Sequence, residues 1–136
     1  MYAFLDADDA HHERARRVVE EEPGPFLMSP FVLAELDCLV QRRLGTAAEF
    51  ALLDDVEADV YRLVPFDTDD LARATTLQRH YGDLGIGLAD ASVAVVAARH
   101  RIVRLLTTDE RHFRAVRPLR GGDAFDLALF DGAPAS

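Results

Sequence analysis

An α/β sandwich, with helices packed around a mostly parallel central sheet, is the fold class this sequence predicts. Three observations predict it. Short apolar runs bounded by turn residues (Phe26-Leu27-Met28, Tyr61–Phe66, Ile102–Leu106 and Phe125–Phe130) alternate with longer segments of helical period. The connections between them are short, as they are when helices cross over between parallel strands. A length of 136 residues, 49% hydrophobic and 29% charged, suits one globular domain with its own core.

Residues 9–22 (DAHHERARRVVEEE) predict a polar helix with Ala15, Val18 and Val19 on its inner side, ended by Pro23-Gly24-Pro25. The adjacent His11 and His12 point to different faces of it and read as surface residues. After the 26–28 strand, Ser29 is an N-cap and Pro30 the first helical residue of a helix that runs to Leu44 and stops at Gly45. Thr46 with Glu49 reads as a capping box for a helix over 47–59. Strand 61–66 carries Tyr61 and Phe66 into the core, and Asp67 or Thr68 caps a helix through His80. Gly82, Gly85 and Gly87 punctuate a loop. Residues 88–99 (LADASVAVVAAR) are almost all apolar, so their helix must be buried on most sides. Strands 102–106 and 125–130 bring the count to four, thin for such a sheet. Residues 1–130 read as one domain and 131–136 as a flexible tail.

No apolar run approaches the ~20 residues of a membrane span. The N-terminus, MYAFLDADDAHHE, is acidic within six residues, unlike a secretory or transit peptide. The lone Cys38 can form neither an intramolecular disulfide nor a thiolate zinc site, and reads as a small buried hydrophobe. A soluble, cytoplasmic protein without a membrane partner is expected. The net charge is −9, yet Arg99, Arg101, Arg104, Arg111, Arg114, Arg117 and Arg120 crowd into one stretch against only Asp109 and Glu110. Such a cluster suits phosphate contact, or equally a solvated basic face.

Most acids lie on polar faces or in caps; three do not. Glu35 falls on the apolar stripe of Val32, Leu36, Leu39 and Arg43, where a carboxylate is costly unless paired with an arginine or bound to a metal. Asp90 sits in the first turns of the buried 88–99 helix, where it suits the helix dipole or a site. Asp109 follows the strand IVRLL at the carboxyl edge, where parallel α/β sheets place their sites, or else it caps a short turn. If helices 30–44 and 88–99 turn their N-terminal halves to that edge, the three carboxylates share one pocket. Clustered carboxylates repel unless a cation sits among them, and hard oxygen ligands select Mg²⁺ or Mn²⁺. Such a site beside arginines suits phosphodiester hydrolysis. His112 lies within reach of a phosphate or of the Asp109 loop, or simply packs.

Three segments, SPFVLAELDCLVQRRLG (29–45), LGIGLADASVAVVAARH (84–100) and LLTTDERHFRAVRP (105–118), give the chain its resemblance to PIN-domain ribonucleases, in particular the VapC toxins of toxin–antitoxin pairs. The resemblance implies a three-layer PIN-like sandwich and metal-dependent RNA cleavage leaving a 5′-phosphate and a 3′-hydroxyl. It makes Glu35, Asp90 and Asp109 the catalytic, metal-binding acids, with Mg²⁺ or Mn²⁺ as cofactor. It implies a homodimer and a VapB antitoxin as partners. Arg99, Arg101, Arg104, Arg111 and Arg114 are then expected to hold the RNA. The chain departs from the family at its start. Family members begin with a central strand ending in Asp followed by Thr or Ser, whereas here Met1 falls inside the helix that follows it. The domain is thus expected to be N-terminally incomplete by one strand and a turn, roughly 6–10 residues. Asp6, Asp8 and Asp9 read as solvated turn acids rather than substitutes. The alternative is a catalytically silent homologue that binds antitoxin or RNA; a phosphoacceptor receiver domain lacks support in a lysine-free chain.

Overall fold

The computed structural model describes residues 12–22, 26–107, 110–120, 122–128 and 131. In order, the elements are helix α1 (His12–Glu21), strand β1 (Phe26–Met28), α2 (Pro30–Leu44), α3 (Thr46–Glu57), β2 (Tyr61–Leu63) and α4 (Thr68–His80). A 3₁₀ turn (Gly82–Leu84), α5 (Leu88–Arg99), β3 (Arg104–Leu105), α6 (Glu110–Ala115) and β4 (Asp126–Leu127) complete them.

The helix starts follow local chemistry. Ser29 Oγ accepts from the N–H groups of Phe31 and Val32 at 3.1 and 3.3 Å, with Pro30 opening α2. Gly45, at φ 89°, ends it and donates its N–H to the Val40 and Gln41 carbonyls. That same glycine is the residue before α3, which corrects the expected capping box. Thr46 is already helical, and no side chain caps the helix. One residue serving two helices leaves Thr46 no extended position from which to cap. At α4 the box does form: Asp67 Oδ1 accepts from Asp70 N–H at 2.9 Å, and Asp70 Oδ2 from Asp67 N–H at 3.1 Å. The Asp70 N–H holds the Asp67 carboxyl below its usual range.

Both strand pairings are parallel, as expected, but among the described residues the sheet comes in two pieces: β1 with β2, and β3 with β4. The strands are also shorter than their apolar runs. The β1–β2 ladder ends with Val64 donating to Met28 O at 3.0 Å, because the next rung needs an N–H from residue 30 and Pro30 has none. α5 packs against α4 on one side and α2 on another. Ala91, Ala94, Val95 and Ala97 of α5 are buried with Leu77, Phe113 and Leu127 in one cluster. Met28, Leu36, Val40, Leu52 and Tyr61 form the other. Burial lifts the Tyr61 phenol to about 12, with Asp55 adding to the shift. Cys38, expected inside, is exposed, because the buried face of α2 is carried by Leu36 and Val40.

Asp131, assigned to the tail by sequence, is tied down. Its carboxylate accepts from the Arg114 guanidinium at 2.7 and 3.0 Å and from Leu127 N–H at 2.9 Å. The arginine above all holds its pKa down to about 2. Residues 132–136 lie outside the described residues, as does His11.

Candidate active site at the divided sheet

The two strand pairs flank a cavity of about 550 Å³. Phe26, Leu27 and Met28 line it from β1, and Arg104, Leu105 and Leu106 from β3 and the residue after it. Val32, Leu36 and Leu39 of α2 and Val93, Val96 and Ala97 of α5 complete apolar walls. Parallel pairing dictates what the facing strand edges offer. Along such a strand, alternate residues turn both main-chain groups to the same side. Met28 O accepts from Val64, so Met28 faces β2 and Leu27 faces the cavity. Val103 O and Leu105 O accept from Asp126 and Ala128 at 2.8 Å, so Arg104 and Leu106 turn their main chain to the cavity.

Glu35 and Asp90 line this same cavity, brought there by α2 and α5. Glu35 does not face the core, as its place on the apolar stripe predicts; it is exposed, on the rim. It makes no ion pair with the described residues, so the arginine salt bridge does not form among them. Asp90 is half-buried in the first turn of α5, and its Oδ2 lies 3.3 Å from His112 Nδ1. Asp109 falls outside the described residues, between Thr107, which lines the cavity, and α6, which carries His112. Among the described residues no three His, Cys, Asp or Glu side chains gather as a metal site.

Two buried hydroxyls register the helix starts. Ser92 Oγ donates to the Ala89 carbonyl at 2.6 Å, which leaves Ser29 Oγ to donate to Ser92 Oγ, also at 2.6 Å. Ser29 in turn accepts from the first turn of α2, so one hydrogen-bonded chain locks that turn to the turn carrying Asp90. Sequence reading found Ser29 as a cap and missed its partner, 63 residues away.

The five arginines divide. Arg99 donates to Pro65 O at 2.6 Å and to buried Asp70 at 3.0 Å. Arg104 is half-buried against the cavity, pairing with Glu22 and, at 2.7 Å, with Asp126. Burial opposes its charge, but those carboxylates hold its pKa above the usual value. Arg114 holds Asp131. Arg101 and Arg111 are exposed.

The donor set is carboxylate oxygen, hard and anionic, which fits a small divalent cation held by Glu35 and Asp90 better than a thiolate or imidazole metal. A mostly parallel α/β fold with such acids at the split in its sheet defines a class that comparison identifies. A family model for the PIN domain matches residues 1–118, and the chain belongs to that family. It is 35% identical over 122 residues to Ribonuclease VapC26 of Mycobacterium tuberculosis, covering 90% of each chain. Its fold matches the crystal structure of Mycobacterium tuberculosis VapC20, described as a sarcin-ricin loop cleaving toxin. That match has a TM-score of 0.75 and 24% identity over 81% of this chain and 85% of that one. No helix of the described residues is long and apolar enough to cross a membrane.

Proposed function

We propose that this protein is a metal-dependent endoribonuclease, the toxin of a toxin–antitoxin pair. The observation that carries the reading is the meeting of Glu35 and Asp90, 55 positions apart in the sequence, at one cavity of a PIN-domain chain. Glu35, Asp90 and Asp109 would hold Mg²⁺ or Mn²⁺. Bound there, such an ion supplies Lewis-acid polarisation of the phosphodiester and an acidic water. The Glu35 and Asp90 carboxylates bring negative charge to one cavity, where a cation is needed, and the Ser29–Ser92 chain keeps their two helices in register. Arg101 and Arg111, both exposed, are the guanidinium groups left to take the RNA backbone. Cleavage leaves a 5′-phosphate and a 3′-hydroxyl. A VapB antitoxin is the expected partner, in the cytoplasm. Phe50 (58% exposed) and Leu44 (37%) present apolar surface on α3 and α2 for a symmetric homodimer.

The silent-homologue reading has its own observation. The cavity walls and the main-chain groups of Leu27 and Leu106, turned towards it, describe room for one more parallel strand, and a fourth acid would arrive with it. One gel separates the readings: this chain, and a form extended by an apolar strand ending in Asp-Thr, each with and without Asp90→Asn. The extended form is expected to cut RNA with Mg²⁺ or Mn²⁺ and to stop with EDTA, and Asp90→Asn is expected to abolish cleavage. An extended form inactive with every cation and RNA tried favours binding without catalysis.

A further inference from the structure

His112 occupies a position that neither the metal reading nor simple packing accounts for. Its Nε2 lies 3.2 Å from the Leu84 carbonyl oxygen, and its Nδ1 lies 3.3 Å from Asp90 Oδ2. The Leu84 carbonyl and the Asp90 carboxylate both only accept, so the two contacts are hydrogen bonds together when both ring nitrogens carry a proton, and the ring plane is set by the turn that carries Leu84. That turn is firm: Leu84 N–H donates to Tyr81 O at 2.9 Å, Gly85 N–H donates to Gly82 O, and Gly85 takes the left-handed φ of 66°. The helix bearing His112 is anchored just as locally. Phe113, next in sequence, is 3% exposed and meets Phe125 edge to face at 5.8 Å. A ring fixed at both ends thus presents Nδ1 to a carboxylate whose own terminal torsion is soft.

We propose that His112 is a positioning residue for Asp90: it holds the carboxylate in the orientation that receives the cation. The proposal rests on the reading of Asp90 as a metal ligand. Partners of this kind fix a ligand before the ion arrives, and their loss typically weakens metal binding roughly 10–100-fold.

The two ring contacts can be removed separately. In His112→Asn the side-chain amide replaces Nδ1 and keeps Asp90 but loses Leu84. In His112→Gln the longer amide replaces Nε2 and keeps Leu84 but loses Asp90. Mn²⁺ affinity, measured by calorimetry on the whole 136-residue chain, is the readout, with a thermal melt of each variant alongside. His112→Ala and His112→Gln are expected to bind at least about tenfold more weakly, and His112→Asn within about threefold of the unchanged protein. Asn as weak as Ala, or Ala and Gln as tight as the unchanged protein, overturns the proposal. So does loss in Asn with retention in Gln, which assigns His112 to bracing the Leu84 turn alone. Failure of the metal reading looks different: the unchanged protein takes up no Mn²⁺, or Asp90→Asn binds it as well as the unchanged protein does.

Discussion

The joint between α4 and α5 and the space between β1 and β3 are built from similar residues and end in opposite conditions. At the joint, Asp70 is 4% exposed, yet its carboxylate caps α4 and accepts from Arg99 and Arg73. Around it Ala74, Ala91 and Val95 pack without exposure above 1%. At the split in the sheet, equally apolar walls surround open volume, and strand main chain is turned towards it. Side-chain hydrophobicity alone therefore does not close a core. Closure also needs each backbone edge to meet a partner.

Substitutions within one cluster sharpen this comparison. Leu52, 0% exposed in a sealed part of the β1–α2–α3 cluster, should cost about 4 kcal/mol when replaced by alanine. Removing the carboxylate in Asp70→Ala should cost roughly 3 kcal/mol, since it strips the cap and leaves Arg99 without its buried partner. Leu36 is just as much a leucine but borders the open cavity, so Leu36→Ala should cost only about 2 kcal/mol. Urea unfolding of the three variants gives the order, and equal costs for Leu36 and Leu52 would break the comparison. Amide exchange makes the same contrast without mutation. The amides of Leu27 and Leu106 should exchange well before those of Ala94 and Val95.

The smallest effects are in pH. Asp131 has its pKa lowered, so its contribution is fully present above the ordinary carboxylate value near 3.8. It is lost as pH falls towards about 2. Melting temperatures compared between pH 6 and 2.5 should therefore fall less for Asp131→Asn than for the unchanged protein. Tyr61 has its pKa raised, so its contribution holds below pH 10 and is lost as pH rises towards about 12. In an ultraviolet titration Tyr61 should ionise only near pH 12, and Tyr61→Phe should remove that step.

What was legible in the sequence was whatever its near neighbours decide. Ser29, Pro30 and Gly45 bound α2 as their chemistry dictates, and the apolar run 88–99 became the buried α5. Glu35 and Asp90 were singled out by position and line one cavity, with Glu35 exposed on its rim rather than in the core. Partners distant in sequence left no trace there. The arginine cluster looked uniform because Asp70, Glu22 and Asp131, which claim three of its members, lie 29, 82 and 17 residues from them. His112 could not be linked to Asp90 for the same reason, being 22 residues away on another helix. The Thr46–Glu49 box failed for a different one: pattern matching does not register that Gly45 already serves both helices.

The position of Arg104 has a kinetic consequence. Its guanidinium joins Glu22, at the close of the first described helix, to Asp126 on β4, so one half-buried cation gathers segments from both ends of the chain. A loop of that span closes slowly, and until it does the arginine has at most one of its two carboxylates. The half of the molecule around the divided sheet should accordingly assemble after the α4–α5 joint, whose contacts span far fewer residues. Parting the chain between residues 22 and 104 takes Glu22 from that arginine and leaves it Asp126. Arg104 works as a late latch on the order of folding.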